Sequence, residues 1–262
     1  MGGASGKLLR QTLTNEGIEF SYVPTVSETR TALLTINKNK INTKFEPNSE
    51  ITNSEAVEFE NKFEKMIQNC SLVVFSGSSP SKNTDHIFAA GIRLAHKYDK
   101  IAFLDTYGTH LKESINKSPL VLHNNREEIE KSLGWKLEDE KSNIELLKYL
   151  RSKNVNLPFI TDGKNPVYAS KFGFNYKIIP PDIKAIDATG SGDAFVAGII
   201  YGLERSMIFN DFVRIALALG TANALRLDAC NVDAEEYEKY IDKVHLNPIG
   251  KKVKLIDDSP NY

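Results

Sequence analysis

Short apolar runs and amphipathic segments alternate along the chain between residues 71 and 163. The apolar runs, which have the length of buried strands, are residues 71–77, 100–106, 119–124 and 157–163. The other segments have apolar residues at helical spacing and predict helices at 85–98, 111–115, 127–134 and 143–154. Strands that alternate with helices at this interval indicate a mostly parallel sheet with helices on both faces. The pattern therefore predicts an α/β fold with three layers, α/β/α.

The last third of the chain is predicted to be mainly helical. Before it, the segments 166–170 and 175–181 are predicted to be strands that pair antiparallel around a tight turn. The three predicted helices that follow are residues 192–203, 209–225 and 234–243. The first of these helices is apolar on nearly every side, which predicts a buried helix whose N-terminus opens inside the protein.

The segment 18–48 has a different pattern, because three strand-like runs follow one another with no helix between them. The runs are FSYVPTV, RTALLTIN and INTKFEP, and they predict a small exposed antiparallel sheet. We interpret this sheet as a lid or as a surface for a homodimer. The predicted organisation is a main domain of residues 1–17 and 49–250, a β lid of residues 18–48, and a frayed tail of residues 251–262.

Composition and charge exclude several classes of function. With 33 Lys and Arg against 34 Asp and Glu, the formal net charge is −1, so no overall basic field attracts nucleic acid. No apolar run approaches the length that spans a membrane, and the start of the chain has no signal-peptide pattern. Cys70 and Cys230 cannot form a disulfide framework, and we expect both to be buried thiols in a cytoplasmic protein.

The segment DATGSGD, residues 187–193, carries the strongest chemical signal. Gly190 and Gly192 allow successive backbone amides to face one point, and the helix that follows adds the positive end of its dipole. Asp193 then places a carboxylate where an anion would bind. The combination makes sense if Asp193 accepts a proton from an attacking hydroxyl while the amides hold a transferring phosphoryl group. Ordinary helix capping, worth about 1 kcal/mol, is the alternative explanation.

Two familiar phosphate motifs are not matched. The segment GGASGKLL lacks the first glycine of a P-loop, and Leu8 stands where that loop has a hydroxyl residue for magnesium. The segment GSGDAF has Phe195 at the third glycine position of the dinucleotide fingerprint.

The stretch DATGSGDAFVAGIIYGL resembles the second signature of the PfkB (ribokinase-like) carbohydrate kinases, in which Gly-Ala/Ser-Gly-Asp forms an anion hole and supplies a base. Further segments resemble, in order and spacing, the branch that contains 1-phosphofructokinase and tagatose-6-phosphate kinase. These segments are SETRTALLTIN, FSGSSP, DTYG and NREE. The resemblance covers about residues 2–225. It implies a ribokinase-like fold with a small antiparallel lid sheet, and phosphate transfer from ATP, with Mg²⁺, to a sugar phosphate.

The resemblance also implies roles for individual residues. The implied base and the turn that holds the γ-phosphate are Asp193 with Gly190, Ser191 and Gly192. The implied contacts along the nucleotide are Thr161, Gly163 and Asn223. The residues implied to act on Mg²⁺–ATP, through water because magnesium keeps several waters, are Asn125 and Glu128. The implied substrate contacts are Arg30, whose guanidinium suits a phosphate group, and Gly3.

Ordinary structural roles compete with several of these assignments. For Glu128 the alternative is an ordinary first-turn helix charge, and for Thr161 and Gly163 it is a turn at the end of a strand. A buried Asn223 needs hydrogen-bond partners, which a neighbouring helix would also supply. Arg30 would also suit a solvated strand. A second carboxylate, Asp187, precedes the glycine turn and is expected to order the loop.

The chain departs from the family's pattern at three places, one of which is Pro166, where the nucleotide loop normally ends in glycine. The family's Lys-Pro-Asn is His123-Asn124-Asn125 here, so a titratable imidazole replaces a cation near the phosphates. Residue 1 corresponds to a point well inside the family's pattern. We therefore expect the family's opening strand and its sugar-binding aspartate to be missing from this chain.

The predicted reaction is transfer of the γ-phosphate of ATP to the 6-hydroxyl of fructose 1-phosphate, which gives fructose 1,6-bisphosphate. Within the same class, the alternatives are tagatose 6-phosphate phosphorylated at its 1-hydroxyl, or another sugar of the family. A non-catalytic protein that binds a nucleotide or a sugar phosphate is the alternative from another class. The missing start favours that alternative, and the intact Gly-Ser-Gly-Asp favours the enzyme.

Overall fold

The structure is a computed structural model that describes residues 1–37, 40–47 and 49–250. The chain divides into two compact units. The first comprises Met1–Trp135 with Lys153–Val155, and the second comprises Lys136–Ser152 with the chain from Asn156 onward. The predicted tail of residues 251–262 lies outside the described residues, as do residues 38, 39 and 48 of the predicted lid.

The first unit combines a parallel sheet with helices. Its elements are helix α1 (Gly3–Asn15), strands β1 (Ala32–Asn37) and β2 (Lys40–Phe45), helix α2 (Asn53–Ile67), strand β3 (Leu72–Ser76), a 3₁₀ helix (Lys82–Thr84), helix α3 (His86–Lys97), strand β4 (Ile101–Asp105), helix α4 (Leu111–Ile115), strand β5 (Val121–Asn125) and helix α5 (Arg126–Leu133). Strands β3, β4 and β5 pair in this order and in parallel. The side chains of Phe103, Leu104 and Val121 are fully buried, as the apolar runs predict.

Strands β1 and β2 form a separate antiparallel sheet, with Ala32 opposite Phe45. The predicted small sheet therefore exists, but the third predicted strand, residues 20–26, was wrong. Pro24 has no amide to donate to a strand partner, and the carbonyls of Tyr22 and Val23 accept from Lys62 and from the Met1 ammonium instead.

Within the described residues, the second unit contains an antiparallel sheet of four strands and four helices. Its elements are helix α6 (Glu140–Ser152), strands β6 (Leu157–Asp162), β7 (Asn165–Lys171) and β8 (Phe174–Ile179), helices α7 (Ser191–Glu204), α8 (Phe209–Ala224) and α9 (Ala234–Ile241), and strand β9 (His245–Ile249). Strands β6 to β9 pair antiparallel in chain order. The predicted pair of strands around residues 171–173 is confirmed by the pairing of β7 with β8.

Helices α7 and α8 pack closely because α7 has two glycines one turn apart. A Cβ atom on Gly198 would lie 2.4 Å from the Ala216 Cα, and one on Gly202 would lie 2.0 Å from the Phe212 Cβ. Neither position therefore accepts a larger side chain without separating the two helices. This packing brings the start of α7 to the end of α8.

Most of the predicted helices are present within two or three residues of their predicted bounds, but α1, α2 and β9 were not predicted. Helix α2 begins with a capping box, in which the Glu55 amide donates to Thr52 Oγ1 and the Glu55 carboxylate accepts from the Thr52 amide. Among the described helices, none combines the length and the hydropathy that a membrane crossing needs.

Candidate active site

Helix α7 begins at a turn that only glycine fits. Gly190 precedes the first helical residue with φ of 78°, in the left-handed region. A Cβ atom at this position would lie 3.0 Å from the Ala229 Cβ and 3.0 Å from the Cys230 Sγ. Both the backbone conformation and the close approach of a distant loop therefore explain why the chain has glycine at residue 190.

The backbone amides of this turn divide into two sets. The Ser191 amide donates to the Ala188 carbonyl at 3.0 Å, and the Ala194 amide donates to the Gly190 carbonyl at 2.9 Å. Among the described residues, no backbone carbonyl accepts from the amides of Gly190 and Gly192. The turn thus presents two amides at the positive end of the α7 dipole, which is an arrangement that binds anions.

Asp193 is the third residue of α7, and its side chain is exposed. The expectation that this helix start opens inside the protein was wrong. Ala194, Phe195 and Val196 are buried, whereas Asp193, Ala197 and Tyr201 lie on an exposed stripe at a spacing of four residues. Helix α7 is mostly apolar in composition, but one narrow face is exposed to solvent, and this face carries the Asp193 carboxylate.

Asp187 orders the loop that leads into the turn, as we predicted. It is only 4% exposed, and its Oδ1 accepts from the Thr189 amide at 2.9 Å and from the Thr189 hydroxyl at 2.8 Å. These two bonds fix the backbone just before Gly190. The two carboxylates of the segment therefore differ in access, because Asp187 is enclosed and Asp193 is not.

Asn223, near the end of α8, holds the turn in place. Its side chain is fully buried, and Nδ2 donates to the Thr189 carbonyl at 2.8 Å and to Ser191 Oγ at 3.0 Å. Its Oδ1 accepts from the Cys230 amide at 2.6 Å. The structure thus contains the bonds within the protein that we considered as an alternative, and contact between Asn223 and adenine stays a prediction.

Cys230 lies beside the turn, which the sequence did not indicate. Its thiol donates to the Gly190 carbonyl at 3.4 Å. Partial burial, and then the negative charge of Asp193, raise the pKa of the Cys230 thiol, while a bond from the Ala194 amide lowers it. The expectation that both cysteines are buried was wrong, because Cys230 is exposed and Cys70 is partly exposed. A lone cysteine has no spacing pattern that would have revealed this position.

Thr161 and Gly163 lie where β6 turns into β7. The pairing of the two strands shifts register between Ile160 and Asp162, so Thr161 sits at the irregularity. Gly163 has φ of 53°, and a Cβ atom there would meet nothing within 4 Å. Register shifts of this kind often occur beside binding sites, but they also occur in simple hairpins, so both explanations of these residues stand.

In the first unit, Arg30 contacts the loop that follows β3. Its Nη2 donates to Ser78 Oγ at 2.7 Å, and its side chain is half-buried. The structure therefore brings together the Thr-Arg segment and the Ser-Gly-Ser-x-Pro loop, which are far apart in sequence. This contact is not typical of a solvated strand residue.

Gly3, the first residue of α1, packs against Glu28. It has φ of 65°, and a Cβ atom there would lie 2.7 Å from the Glu28 Cγ. The Ser5 amide and hydroxyl both donate to Glu28 Oε1 at 3.0 Å, and these bonds lower the pKa of Glu28. Gly3 thus supports the segment that carries Arg30.

Asn125 and Glu128 form a closed capping box at the start of α5. Asn125 Oδ1 accepts from the Glu128 amide at 2.9 Å, and Glu128 Oε2 accepts from the Asn125 amide at 2.9 Å. The Asn124 amide group also donates to Glu128 Oε2 at 3.2 Å. Glu128 Oε1 is the carboxylate oxygen outside these bonds. No cluster of three or more His, Cys, Asp or Glu side chains suited to a metal occurs in the described part of the chain.

A polar chain crosses the carboxyl ends of the parallel strands in the first unit. Ser76 Oγ donates to Asp105 Oδ2 at 2.8 Å, and His123 Nδ1 lies 2.8 Å from Asp105 Oδ1. Asp105 begins the DTYG motif and His123 begins His-Asn-Asn, but neither motif assigned a role to Asp105. Carboxyl ends of parallel strands are where α/β proteins place ligand-binding residues, and this rule was the signal available for finding Asp105.

An α/β fold, together with a helix start whose amides suit an anion and whose first turn carries a carboxylate, is typical of phosphotransferases. Residues 1–236 match the model of the pfkB family carbohydrate kinases. The chain therefore belongs to this family, and its reaction class is phosphate transfer to a sugar hydroxyl.

Individual relatives agree with this membership. The tagatose-6-phosphate kinase of Staphylococcus epidermidis is 25% identical over 253 residues, which are 94% of this chain and 80% of the relative. A Thermotoga maritima protein described as a possible 1-phosphofructokinase has a similar structure, with a TM-score of 0.87 and 21% identity over 95% of this chain and 81% of that one. Phosphofructokinase-2 of Escherichia coli has a TM-score of 0.84 and 18% identity over 92% and 79%. These similarities confirm the ribokinase-like α/β fold.

Proposed function

We propose that this sugar-phosphate kinase transfers the γ-phosphate of ATP to the 6-hydroxyl of fructose 1-phosphate, giving ADP and fructose 1,6-bisphosphate. The observation that carries the proposal is the start of α7. There, the Gly190 and Gly192 amides have no backbone acceptor among the described residues, and an exposed carboxylate follows within the first turn. Family membership gives the reaction class, and this helix start supplies the groups that such a reaction needs.

In the proposed reaction, Asp193 acts as the general base. Its carboxylate accepts the proton of the 6-hydroxyl while the oxygen attacks the γ-phosphorus. The bond between the γ-phosphorus and the bridging oxygen breaks, and ADP leaves with that oxygen. The amides of Gly190 and Gly192 hold the oxygens of the transferred group, where negative charge accumulates. Thr161 and Gly163 are proposed to line the nucleotide, and Asn223 is retained as a candidate nucleotide contact.

Arg30 is proposed to bind the phosphate that the sugar already carries. A guanidinium offers several donors to phosphate oxygens, and the Ser78 hydroxyl beside it adds a polar neighbour. Gly3 is proposed to contact the sugar through its backbone. Arg30→Ala should raise KM for the sugar phosphate about tenfold while KM for ATP changes little, because charge-assisted bonds contribute about 1.5–3 kcal/mol. A change confined to KM for ATP would contradict this assignment.

The residues at the start of α5 suit Mg²⁺ as partners of metal-bound water rather than as direct ligands. Glu128 Oε2 is occupied by the capping box, which leaves Oε1 as the oxygen for a metal-bound water, and Asn125 Nδ2 would donate to a nucleotide phosphate. Mg²⁺ usually keeps several waters and binds the phosphates of its nucleotide, so one protein oxygen is sufficient. When bound, the ion supplies positive charge that neutralises the phosphates.

Tagatose 6-phosphate, phosphorylated at its 1-hydroxyl, is the second candidate, and the similarity to the Staphylococcus epidermidis enzyme favours it. The deciding experiment measures ADP release with fructose 1-phosphate, fructose 6-phosphate and tagatose 6-phosphate at equal concentrations. We expect the highest kcat/KM with fructose 1-phosphate. A higher value with tagatose 6-phosphate would select the alternative, and no ADP above the sugar-free rate with any of the three would overturn the kinase proposal for this chain.

We also propose that the β1–β2 sheet is the surface of a homodimer. The Leu33 side chain in β1 is 65% exposed, and one solved relative is described as the tetrameric inhibited form of its enzyme. Light scattering of the wild type and of Leu33→Glu tests the surface. We expect a dimer in the first case and a monomer in the second, and a dimer in both would exclude this face.

A further inference from the structure

We infer that the Ser191 side-chain hydroxyl donates a hydrogen bond to the γ-phosphate of ATP, and that Asn223 is the positioning residue that orients it. This inference rests on the proposed function of the α7 start. It assigns the contact to the side chain of Ser191, where the resemblance implied only that the turn of Gly190, Ser191 and Gly192 holds the γ-phosphate.

The first step is that the Ser191 amide is already used. It donates to the Ala188 carbonyl at 3.0 Å within the turn. An amide with a good protein acceptor cannot also make a full bond to an incoming phosphate oxygen. Of the donors on this residue, only the hydroxyl is left for a ligand.

The second step concerns the direction of the bond between Ser191 and Asn223. A serine hydroxyl has one hydrogen and two lone pairs, whereas the amide nitrogen of asparagine only donates. Because Asn223 Nδ2 donates to Ser191 Oγ at 3.0 Å, the hydroxyl oxygen is the acceptor and keeps its hydrogen. Among the described residues, no acceptor receives that hydrogen, and the Ser191 residue is partly exposed. A phosphate oxygen is an acceptor of the required kind.

The third step is that Asn223 cannot turn away from this arrangement. The side chain is fully buried in α8, its second Nδ2 hydrogen is held by the Thr189 carbonyl at 2.8 Å, and its Oδ1 is held by the Cys230 amide at 2.6 Å. Exchanging the two ends of the amide group would place oxygen against the Thr189 carbonyl and nitrogen against the Cys230 amide. The three partners therefore specify one orientation, and this orientation presents a donor to Ser191.

The experiment compares the affinities of ATP and ADP for each protein by titration calorimetry in the presence of Mg²⁺. The ratio of the two affinities isolates contacts with the γ-phosphate, since the rest of the nucleotide is common to both ligands. We expect Ser191→Ala to lower the ratio about five- to tenfold, and Ser191→Thr, which keeps the hydroxyl, to restore at least half of that loss. Ser152→Ala is the matched control, because Ser152 bonds the Tyr149 carbonyl at the far end of α6.

Each outcome has one meaning. A wild-type ratio in Ser191→Ala, or an equal loss in Ser191→Ala and Ser191→Thr, would overturn the role of the hydroxyl and leave the proposed function intact. A wild-type protein that binds neither nucleotide would overturn the proposed function itself. The two failures are therefore distinguishable in one set of titrations.

The role of Asn223 is tested with Asn223→Ala in the wild type and in Ser191→Ala. If Asn223 acts on the γ-phosphate only through Ser191, Asn223→Ala should lower the ATP/ADP ratio in the wild type and change it less than twofold in Ser191→Ala. Equal further losses in both backgrounds would overturn the positioning role. Should Asn223→Ala not fold, as judged by circular dichroism, the comparison of Ser191→Ala with Ser191→Thr still decides the central claim.

Discussion

Two helix starts, one in each unit, carry an acidic residue at the third helical position and use it in opposite ways. At the start of α5, the Glu128 carboxylate and the Asn125 side chain close a reciprocal capping box. At the start of α7, Gly190 has no side chain with which to cap the helix, and Asp193 is exposed. Both acids occupy the third position of their helix. The two starts differ in the residue before the helix, which is Asn125 at α5 and Gly190 at α7.

The contrast shows what separates a capped helix start from one that suits an anionic ligand. Every helix start leaves amides that the helix itself cannot satisfy. At α5 the protein's own side chains accept from the Asn125 and Glu128 amides, so one oxygen of the Glu128 carboxylate has a structural role. At α7 the turn leaves the Gly190 and Gly192 amides without a backbone acceptor in the described chain, so these two amides remain available to a ligand.

The largest effect is expected for Asp193→Asn. It should lower kcat about 100- to 10,000-fold, the usual contribution of a general base, and leave the ATP affinity within about twofold. Steady-state ADP release and calorimetry check the two parts. Asp211→Asn is the matched control, since Asp211 is also the exposed third residue of a helix in the same unit and should keep wild-type turnover. Full activity in Asp193→Asn would remove the chemical distinction between the two helix starts.

The next effect is expected for Gly190→Ala, because both the left-handed φ and the contacts with Ala229 and Cys230 oppose a side chain. Unfolding in urea should give a loss of about 2–3 kcal/mol, from about 1 kcal/mol of backbone strain and the overpacking. The comparison is Gly134→Ala at the end of α5, where φ is 73° but no atom lies within 4 Å of a new Cβ, so only strain of about 1 kcal/mol is expected. Equal losses would show that the close approach at Gly190 does not matter.

A smaller effect is expected for Asn125→Ala, which opens the box at α5. The lost cap should cost about 1 kcal/mol of unfolding free energy. If Glu128 acts on Mg²⁺–ATP through water as proposed, the Mg²⁺ concentration for half-maximal activity should also rise. A loss of stability without any change in the Mg²⁺ dependence would leave the α5 start with a purely structural role.

The smallest effect concerns the rate at which iodoacetamide alkylates Cys230. Burial and then the charge of Asp193 raise the pKa of this thiol, so less thiolate is present at pH 8 than in a free cysteine, and the reaction should be slower. Asp193→Asn removes the negative charge, which lowers the pKa and should increase the rate at pH 8 about two- to threefold. Peptide mapping by mass spectrometry follows Cys230 separately from Cys70. An unchanged rate would contradict the proximity of the two groups at the α7 start.

The parallel strands of the first unit and the helices of the second unit were predictable, because the patterns that indicate them are local. Phe103 and Leu104 belong to an apolar run with the length of a buried strand, and α8 repeats buried residues at helical spacing. The strand predicted at 20–26 failed for a tertiary reason, since its carbonyls pair with Lys62 and the Met1 ammonium rather than with a strand. Helix α2 was readable from Thr52 and Glu55, the two ends of its capping box.

For the candidate site, the residues of the turn were predictable and their surroundings were not. Gly190 and Asp193 stand out by type and spacing. The exposure of Asp193 was predicted wrongly, because composition counts apolar residues on α7 but does not say which narrow stripe faces solvent. Cys230 was missed because it reaches the turn from 40 positions away.

The chemical groups at the start of α7 follow from the local sequence, since glycine freedom, a carboxylate and a helix-forming run are properties of neighbouring residues. Which of those groups remain open to a ligand depends on the packing of distant segments. Asn223 lies 32 positions beyond Ser191, and the close packing of α7 on α8 at Gly198 and Gly202 brings the two together. A hydrogen bond between distant segments depends on that packing, which no local pattern records.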